Sequence, residues 1–346
     1  MRGRLLVDLA AVTANYRSYC ALHSGTTAAV VKADAYGLGC SAVASALHAA
    51  GCDTFFVALA EEGEALRAVL SQARILVFEG ATSATAPLLA AADLIPVINN
   101  KSQLAAWRPY AGKPMAIHVD TGIGRLGFDT QVAAGQFADF KVAMLLTHLA
   151  CADAPEHPQN ELQLRAFGRV AARFPGVATS IGNSAGMCLG TEYCGDVARP
   201  GIGLYGGGFG NGDAPEAACV ATLEGTVLQV REHPKNTQLG YGATYSTAAV
   251  TRVATVGLGY ADGVPRLLSN RGEVAVGGVR CPILGRVSMD LTLVDVTSAP
   301  VETGDWVEFF GAVIPLDDVA GWAQTISYEV LTGIGSRVER SYLTGG

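Results

Sequence analysis

From about residue 26 to 206 the chain alternates short apolar, often β-branched runs with stretches whose apolar residues recur every three or four positions. The first pattern predicts buried strands and the second predicts amphipathic helices lying over them. Eight strands are expected: TTAAVVK (26–32), TFFVAL (54–59), RILVFE (74–79), LIPVIN (94–99), KPMAIHVD (113–120), VAMLLTH (142–148), VATSIGN (177–183) and GIGLYG (201–206). Helical patterns such as SAVASALHAAG, EEGEALRAVLSQA, SQLAAWRPYAG and NELQLRAFGRVAARF separate them, and only the last connection, 184–200, is short and weakly helical.

Eight β-then-α repeats are the count of a (β/α)8 TIM-type barrel, whose active sites gather at the C-terminal ends of the strands. Polar residues fall at or just after those ends: Lys32 and Tyr36, the segment 120–125 ending on Arg125, His148, Asn183 and Ser184, with Arg199 leading into the eighth run. A doubly wound open sheet gives the same alternation and stays open at this point. After the small-residue segment GGGFGNGDAPEAA (206–218) the rhythm changes to strand-like runs divided by turn signals: GTVLQVRE, VTRVATVGLGY, GEVAVGG, CPILGRVSMDLTLVDV and DWVEFFG, with a short helix near 316–332. The expected organisation is an α/β barrel domain over residues 1–220 followed by a mostly β domain over residues 221–346.

Composition narrows the function classes. A formal net charge of -7 with no basic run argues against a nucleic-acid partner, which needs clustered Lys and Arg. No apolar stretch approaches the roughly 18 residues of a membrane span, so no membrane partner is expected. In the N-terminal MRGRLLVDLAAV, Asp8 interrupts the apolar part too early for a signal-peptide core, which points to a cytoplasmic protein. The eight cysteines are scattered without a C-x-x-C pair, and the six histidines form no H-x-x-x-H spacing. Reduced thiols and no metal site are expected.

Three segments match the glycine pattern of a dinucleotide-binding turn: GLGCSA (37–42), GIGRLG (122–127) and GIGLYG (201–206). The working fingerprint needs its glycines directly after a strand, a helix opening on them, and an acidic residue about 20 positions on. Four residues follow Lys32 before the first match, although Glu61 and Glu62 lie at a tolerable distance, and the third match sits inside an expected strand. Lys32 is the more telling residue. A lysine at the inner end of a barrel strand is partly desolvated, which favours the free amine and fits it for Schiff-base chemistry. Alone, it reads first as an ordinary strand-end lysine reaching solvent.

Its company decides between these. VVKADAYGLG, DTGIGRLGF, THLACAD, GNSAG, ARPGIGLYGG, LGYGATYST, VGLGYADGVPR and GRVSMD occur in this order over nearly the whole chain. Together they resemble the alanine racemases, pyridoxal phosphate (PLP) enzymes of fold type III built from a barrel and a β domain. The resemblance implies that Lys32 carries pyridoxal 5'-phosphate as a Schiff base and exchanges the substrate α-proton on one face. Tyr241 of the GYGATYST segment is implied as the base on the other face, with His148 and Arg199 as its relay. A phenol ordinarily titrates near 10 and needs such help. Arg199 is further implied to donate to the cofactor's ring nitrogen, where a permanently charged guanidinium leaves that nitrogen unprotonated. Tyr36, Ser184, Gly201, Ile202 and Tyr328 are implied as the phosphate cradle. Arg125 would take the substrate carboxylate, Met289 and Asp290 would orient it, and Tyr260 and Arg266 would stand at the entrance. In the family Tyr241, Tyr260, Met289 and Asp290 enter from a partner subunit, which implies a homodimer with shared sites.

One position departs from the pattern. Many relatives carry a lysine, often carbamylated, two residues before the Asp of the DTG motif, whereas this chain has His118. An imidazole cannot reproduce a carbamate's negative charge, so Arg125 is expected to be held differently. The functional expectation is racemisation of a small amino acid, alanine foremost, supplying D-alanine for peptidoglycan. A serine or broad-range racemase and a non-catalytic PLP-binding protein are the alternatives.

Overall fold

Strands covered on both faces are apolar at every position rather than at every second one. Thr54–Val57 and Ile95–Ile98 are buried at each of their residues, as a barrel wall between a packed interior and an outer ring of helices requires. The computed structural model describes residues 2–209 and 214–344; residues 210–213 of the glycine-rich connection, with 1, 345 and 346, lie outside the described residues. Among the described residues, no helix is long and apolar enough to cross a membrane.

The strands β3 (Ala29–Val30), β4 (Thr54–Val57), β5 (Arg74–Val77), β6 (Ile95–Ile98), β7 (Pro114–His118), β8 (Lys141–Leu146) and β9 (Ala178–Ser180) form one curled sheet in sequence order. Every pairing in it is parallel. A short strand, β10 (Val197–Ala198), pairs in parallel with β2 (Thr26–Thr27). Backbone bonds from Ala28 N–H to Ala198 O (2.9 Å) and from Val30 N–H to Pro200 O (3.0 Å) carry that pairing along β3. On its other side Arg199 N–H donates to Gly182 O at 2.8 Å, just past β9, so the ring closes as a barrel.

The last expected strand is displaced. GIGLYG forms a 3-10 turn, Ile202–Tyr205, and the eighth strand lies earlier, at Val197–Ala198. Gly206 at φ 80° ends the run in the left-handed region, and Ile202, Leu204 and Tyr205 are all buried. The first strand also stops at Val30 rather than running to Lys32.

The second sheet has eight strands in the order β14 (Thr251–Val256), β17 (Thr292–Asp295), β16 (Val279–Leu284), β15 (Glu273–Val276), β18 (Trp306–Phe310), β11 (Ala221–His233), β1 (Gly3–Asp8) and β19 (Glu339–Leu343). A hairpin of β12 (Gln238–Leu239) and β13 (Tyr245–Ser246) stands off it. The helical segment near 316–332 is two short helices, Leu316–Trp322 and Ser327–Thr332. Sheet membership does not follow chain order: β1 lies antiparallel to β11 and parallel to β19, with Leu5 opposite Leu223. Its alternation buries Gly3, Leu5 and Val7, and Asp8 then caps the helix Leu9–Ala21 by accepting from Ala11 N–H at 2.9 Å.

Leu5→Ala removes a fully buried side chain at this junction and should cost about 2–5 kcal/mol. The check is urea unfolding followed by the emission of Trp306, which lies 4.0 Å beneath Arg4 of the same strand. A loss below about 1 kcal/mol would mean that β1 is dispensable to the second sheet.

Candidate active site

The C-terminal ends of the barrel strands open onto a cavity of about 400 Å3, within the range of small-molecule sites. Lys32, Tyr36, His118, Arg125, His148, Ser184, Arg199, Gly201, Ile202 and Tyr328 all line it. Asn183 lines it too, so every barrel position given a site role in the sequence reaches the cavity, together with Tyr328 from the second domain.

Lys32 leaves its strand through an uncommon backbone path. Ala33, Asp34, Ala35 and Tyr36 have φ of 52°, 54°, 53° and 57°, one left-handed turn built without glycine. Each such residue costs roughly 1–2 kcal/mol, so local bonds must hold the turn. Ala35 N–H donates to Val31 O (2.9 Å), Gly37 N–H to Ala33 O (2.8 Å), and Asp34 Oδ1 accepts from Cys40 N–H (2.6 Å). Gly37 closes the turn at φ 84°, where a Cβ would stand 2.7 Å from Leu331 O. The turn brings Tyr36 under the cavity, its ring 4.7 Å from that of Tyr205 and 5.9 Å from that of Tyr328. Burial lowers the Lys32 amine below its ordinary value, and the nearby Arg125 acts in the same direction.

Arg199 is buried and fixed. Its Nη2 donates to Thr147 O (2.7 Å) and Ile181 O (3.1 Å), and its Nη1 donates to Ser180 Oγ. Burial lowers it only to about 10, so it remains a cation at neutral pH. None of these bonds uses Nε–H. Ser184 Oγ accepts from Gly201 N–H (2.8 Å) and Gly203 N–H (3.1 Å), welding the loop after β9 to the 3-10 turn. A Cβ on Gly201 would stand 2.4 Å from Tyr36 Oη, so a glycine is needed to let that phenol into the cradle.

His118, at the end of β7, is buried. The Asn99 amide nitrogen donates to Val97 O (2.8 Å) and Phe78 O (3.1 Å), which turns Asn99 Oδ1 toward His118 Nδ1 at 2.7 Å. Nδ1 therefore carries the proton, and Nε2 is a buried acceptor with no partner among the described residues. Burial, then Arg199, brings His118 down to about 4, with Arg125 adding to the shift and Asp120 opposing it. His148 falls to about 3, again by burial first and then Arg199. No ion pair among the described residues includes Arg125, so no carboxylate replaces the charge missing at position 118.

The expected residues of the second domain stand apart from this cavity. Tyr241, in the 3-10 turn between β12 and β13, is 70% exposed, with Tyr260 at 43% and Met289 at 53%. Backbone bonds from Tyr260 N–H to Ser288 O and from Ala261 N–H to Met289 O, both 3.0 Å, hold two of these loops together. Asp290 pairs with Arg337 at 2.8 Å, and Arg266 opens a separate 3-10 turn, Arg266–Leu268. Sequence reasoning missed Asn99 and Ser180, the side chains that orient His118 and Arg199. A polar residue ending an apolar strand was a signal for Asn99, whereas pairing across neighbouring strands left none for Ser180.

Both imidazoles stay neutral in the fold, while an unfolded histidine takes a proton near 6.5. Stability should therefore be flat above about pH 6.5 and fall as pH drops through that value toward 4, because the unfolded chain binds more protons. In urea titrations His118→Asn should remove about 1–2 kcal/mol of the loss between pH 7.5 and 5. An unchanged pH dependence would show that His118 protonates as readily as an exposed imidazole.

Two family models match the chain: "Alanine racemase, N-terminal domain" over residues 7–208 and "Alanine racemase, C-terminal domain" over residues 220–342. The alanine racemase of Rhizobium meliloti is 42% identical, over 99% of this chain and 97% of its own length. An Agrobacterium fabrum relative named as a catabolic alanine racemase is also 42% identical, over 99% of this chain and 93% of its own. The crystal structure of alanine racemase from Bartonella henselae with covalently bound pyridoxal phosphate has a TM-score of 0.93 at 37% identity, covering 99% of this chain and 100% of that one. With both of its halves matched and its fold shared from end to end, this chain belongs to the alanine racemase family.

Proposed function

We propose that the chain is a pyridoxal 5'-phosphate-dependent racemase interconverting L-alanine and D-alanine. The observation that carries this reading is the desolvated Lys32 amine in one cavity with the buried cation Arg199. The residues present fit the cofactor: phenols from Tyr36 and Tyr328, the Ser184 hydroxyl and the glycine-backed Gly201–Ile202 peptide suit a phosphate. When bound, pyridoxal phosphate supplies an electron-withdrawing ring that acidifies the α C–H of a condensed amino acid.

This chain's residues supply the rest. Lys32 Nζ anchors the cofactor and, once free, holds or returns a proton on one face, a task served by a pKa below the usual lysine value. Arg199, whose Nε–H is not used by the bonds above, would donate to the ring nitrogen and, as a permanent cation, would not surrender that proton. The neutral His148 lies beside it as the relay. Arg125 takes the substrate carboxylate. Met289 and Asp290 orient it by a backbone N–H and shape the pocket, the Asp290 carboxylate being tied to Arg337. Tyr241 Oη is the acid and base for the opposite face.

Tyr241, Tyr260 and Met289 are exposed apolar side chains outside the cavity, as residues awaiting a partner are. We therefore read the working unit as a homodimer in which each β domain completes the other subunit's site, with Tyr260 and Arg266 at its entrance. The division near residue 220, a cytoplasmic location and supply of D-alanine for peptidoglycan belong to the same reading.

Incubation with L-alanine and with L-serine in deuterated water tests the reaction. Loss of optical activity with α-deuteration on alanine is expected, no exchange on either substrate would overturn racemisation, and faster exchange on serine would reassign the substrate. Borohydride should fix the cofactor on Lys32, and a label elsewhere would remove Lys32 from this role. Mixing inactive Lys32→Ala and Tyr241→Ala proteins should restore activity if the sites are shared between subunits. Persistent inactivity of the mixture would place both residues in sites of single subunits. Growth of a D-alanine-requiring bacterium carrying the gene checks the physiological direction.

A further inference from the structure

Glu62, a residue that a dinucleotide site would have used for a ribose hydroxyl, has another occupation. It is the third residue of the helix Ala60–Val69, and one of its oxygens, Oε2, accepts from Ala58 N–H (2.8 Å) and Leu59 N–H (3.1 Å) in the manner of a helix cap. The other, Oε1, reaches across 29 residues to accept from Ala33 N–H at 2.7 Å. Ala33 is the first residue of the left-handed turn, next to Lys32. Its peptide N–H has no intrahelical partner, as at the start of any turn.

We propose that Glu62 is a positioning residue for Lys32, fixing the direction in which the lysine leaves its strand by tying the first peptide of the left-handed turn to the loop after β4. The proposal rests on the reading of Lys32 as the working amine. A charge-assisted bond is the strong kind, and here it is spent on a backbone conformation that alanine does not adopt unaided. The far end of the turn is held from the second domain, where Arg340 Nε donates to Gly37 O at 3.2 Å. Glu62 braces the near end from the barrel side, beside the Ala35 N–H to Val31 O bond. Its carboxylate also opposes the effects of burial and of Arg125 on the Lys32 amine. His118, His148, Glu79, Tyr36, Tyr328 and Arg199 are the other ionisable groups facing the same cavity. As a helix cap only, Glu62 would affect stability and nothing at Lys32.

Hydrogen exchange of the full-length protein as isolated, read by mass spectrometry, should show the Ala33 amide protected. Glu62→Gln should speed that exchange about tenfold or more, the equivalent of one charge-assisted hydrogen bond. In the full-length chain freed of cofactor with hydroxylamine, the pH midpoint for labelling Lys32 with an amine reagent should fall by about one unit in Glu62→Gln, since an opposite charge is lost. These readouts do not depend on racemisation, so failure of the borohydride label on Lys32 would overturn the cofactor reading while leaving them standing. An unprotected Ala33 amide in the unmodified protein overturns the proposal without any variant. So does a Glu62→Gln protein that unfolds more readily but keeps both the Ala33 protection and the Lys32 midpoint.

Discussion

The left-handed turn from Ala33 to Tyr36 is the constraint on which the rest of the site depends. Four non-glycine residues at positive φ stand against a net stability that for whole proteins is only about 5–15 kcal/mol. Such strain persists where surrounding structure over-determines it, and it collects at functional sites. Here Glu62 holds one end, Asp34 the middle, and Arg340 and the close approach of Leu331 the other end. The result is that Lys32 and Tyr36, one turn apart, face the same cavity.

Around that turn the electrostatics follow from burial. Burial first, and then the positive charge of Arg199 and Arg125, keeps both neighbouring imidazoles neutral, and the same two cations suit an anionic ligand. His118 is then an acceptor at Nε2 because Asn99 claims the other nitrogen. The departure expected at position 118 is thus more than a missing charge. A neutral, oriented imidazole stands in its place, with no carboxylate drawn in to compensate among the described ion pairs.

The second domain is bound into the first more deeply than chain order implies. β1 joins the second sheet, the following helix packs on the barrel's 3-10 turn, and Tyr328 from the helix Ser327–Thr332 closes the cavity. The exposed loops that carry Tyr260 and Met289 are held to each other by backbone bonds, and Tyr241 stands exposed on its own turn between β12 and β13. None of the three side chains lines the cavity of its own chain.

Much of this was legible from the chain alone. Apolar runs alternating with helical patterns define the barrel because buried parallel strands must be apolar on both faces, and strand ends locate Lys32, Arg125, His148 and Arg199 because barrel chemistry collects there. Motif order singled out Ser184, Gly201 and Tyr328, which look ordinary in isolation and which line the cavity. What the sequence could not carry was direction and partnership. Nothing local in KADAY announces a left-handed turn, because its ends are held by Glu62 and Arg340, 29 and 303 residues away from the Ala33 N–H and the Gly37 O that they engage. The eighth strand shifted from GIGLYG to Val197–Ala198 because closing the ring, rather than local propensity, chose which residues pair with β2. Residue chemistry and periodicity are written in the chain, but hydrogen bonds between residues far apart in it exist only once the barrel has closed.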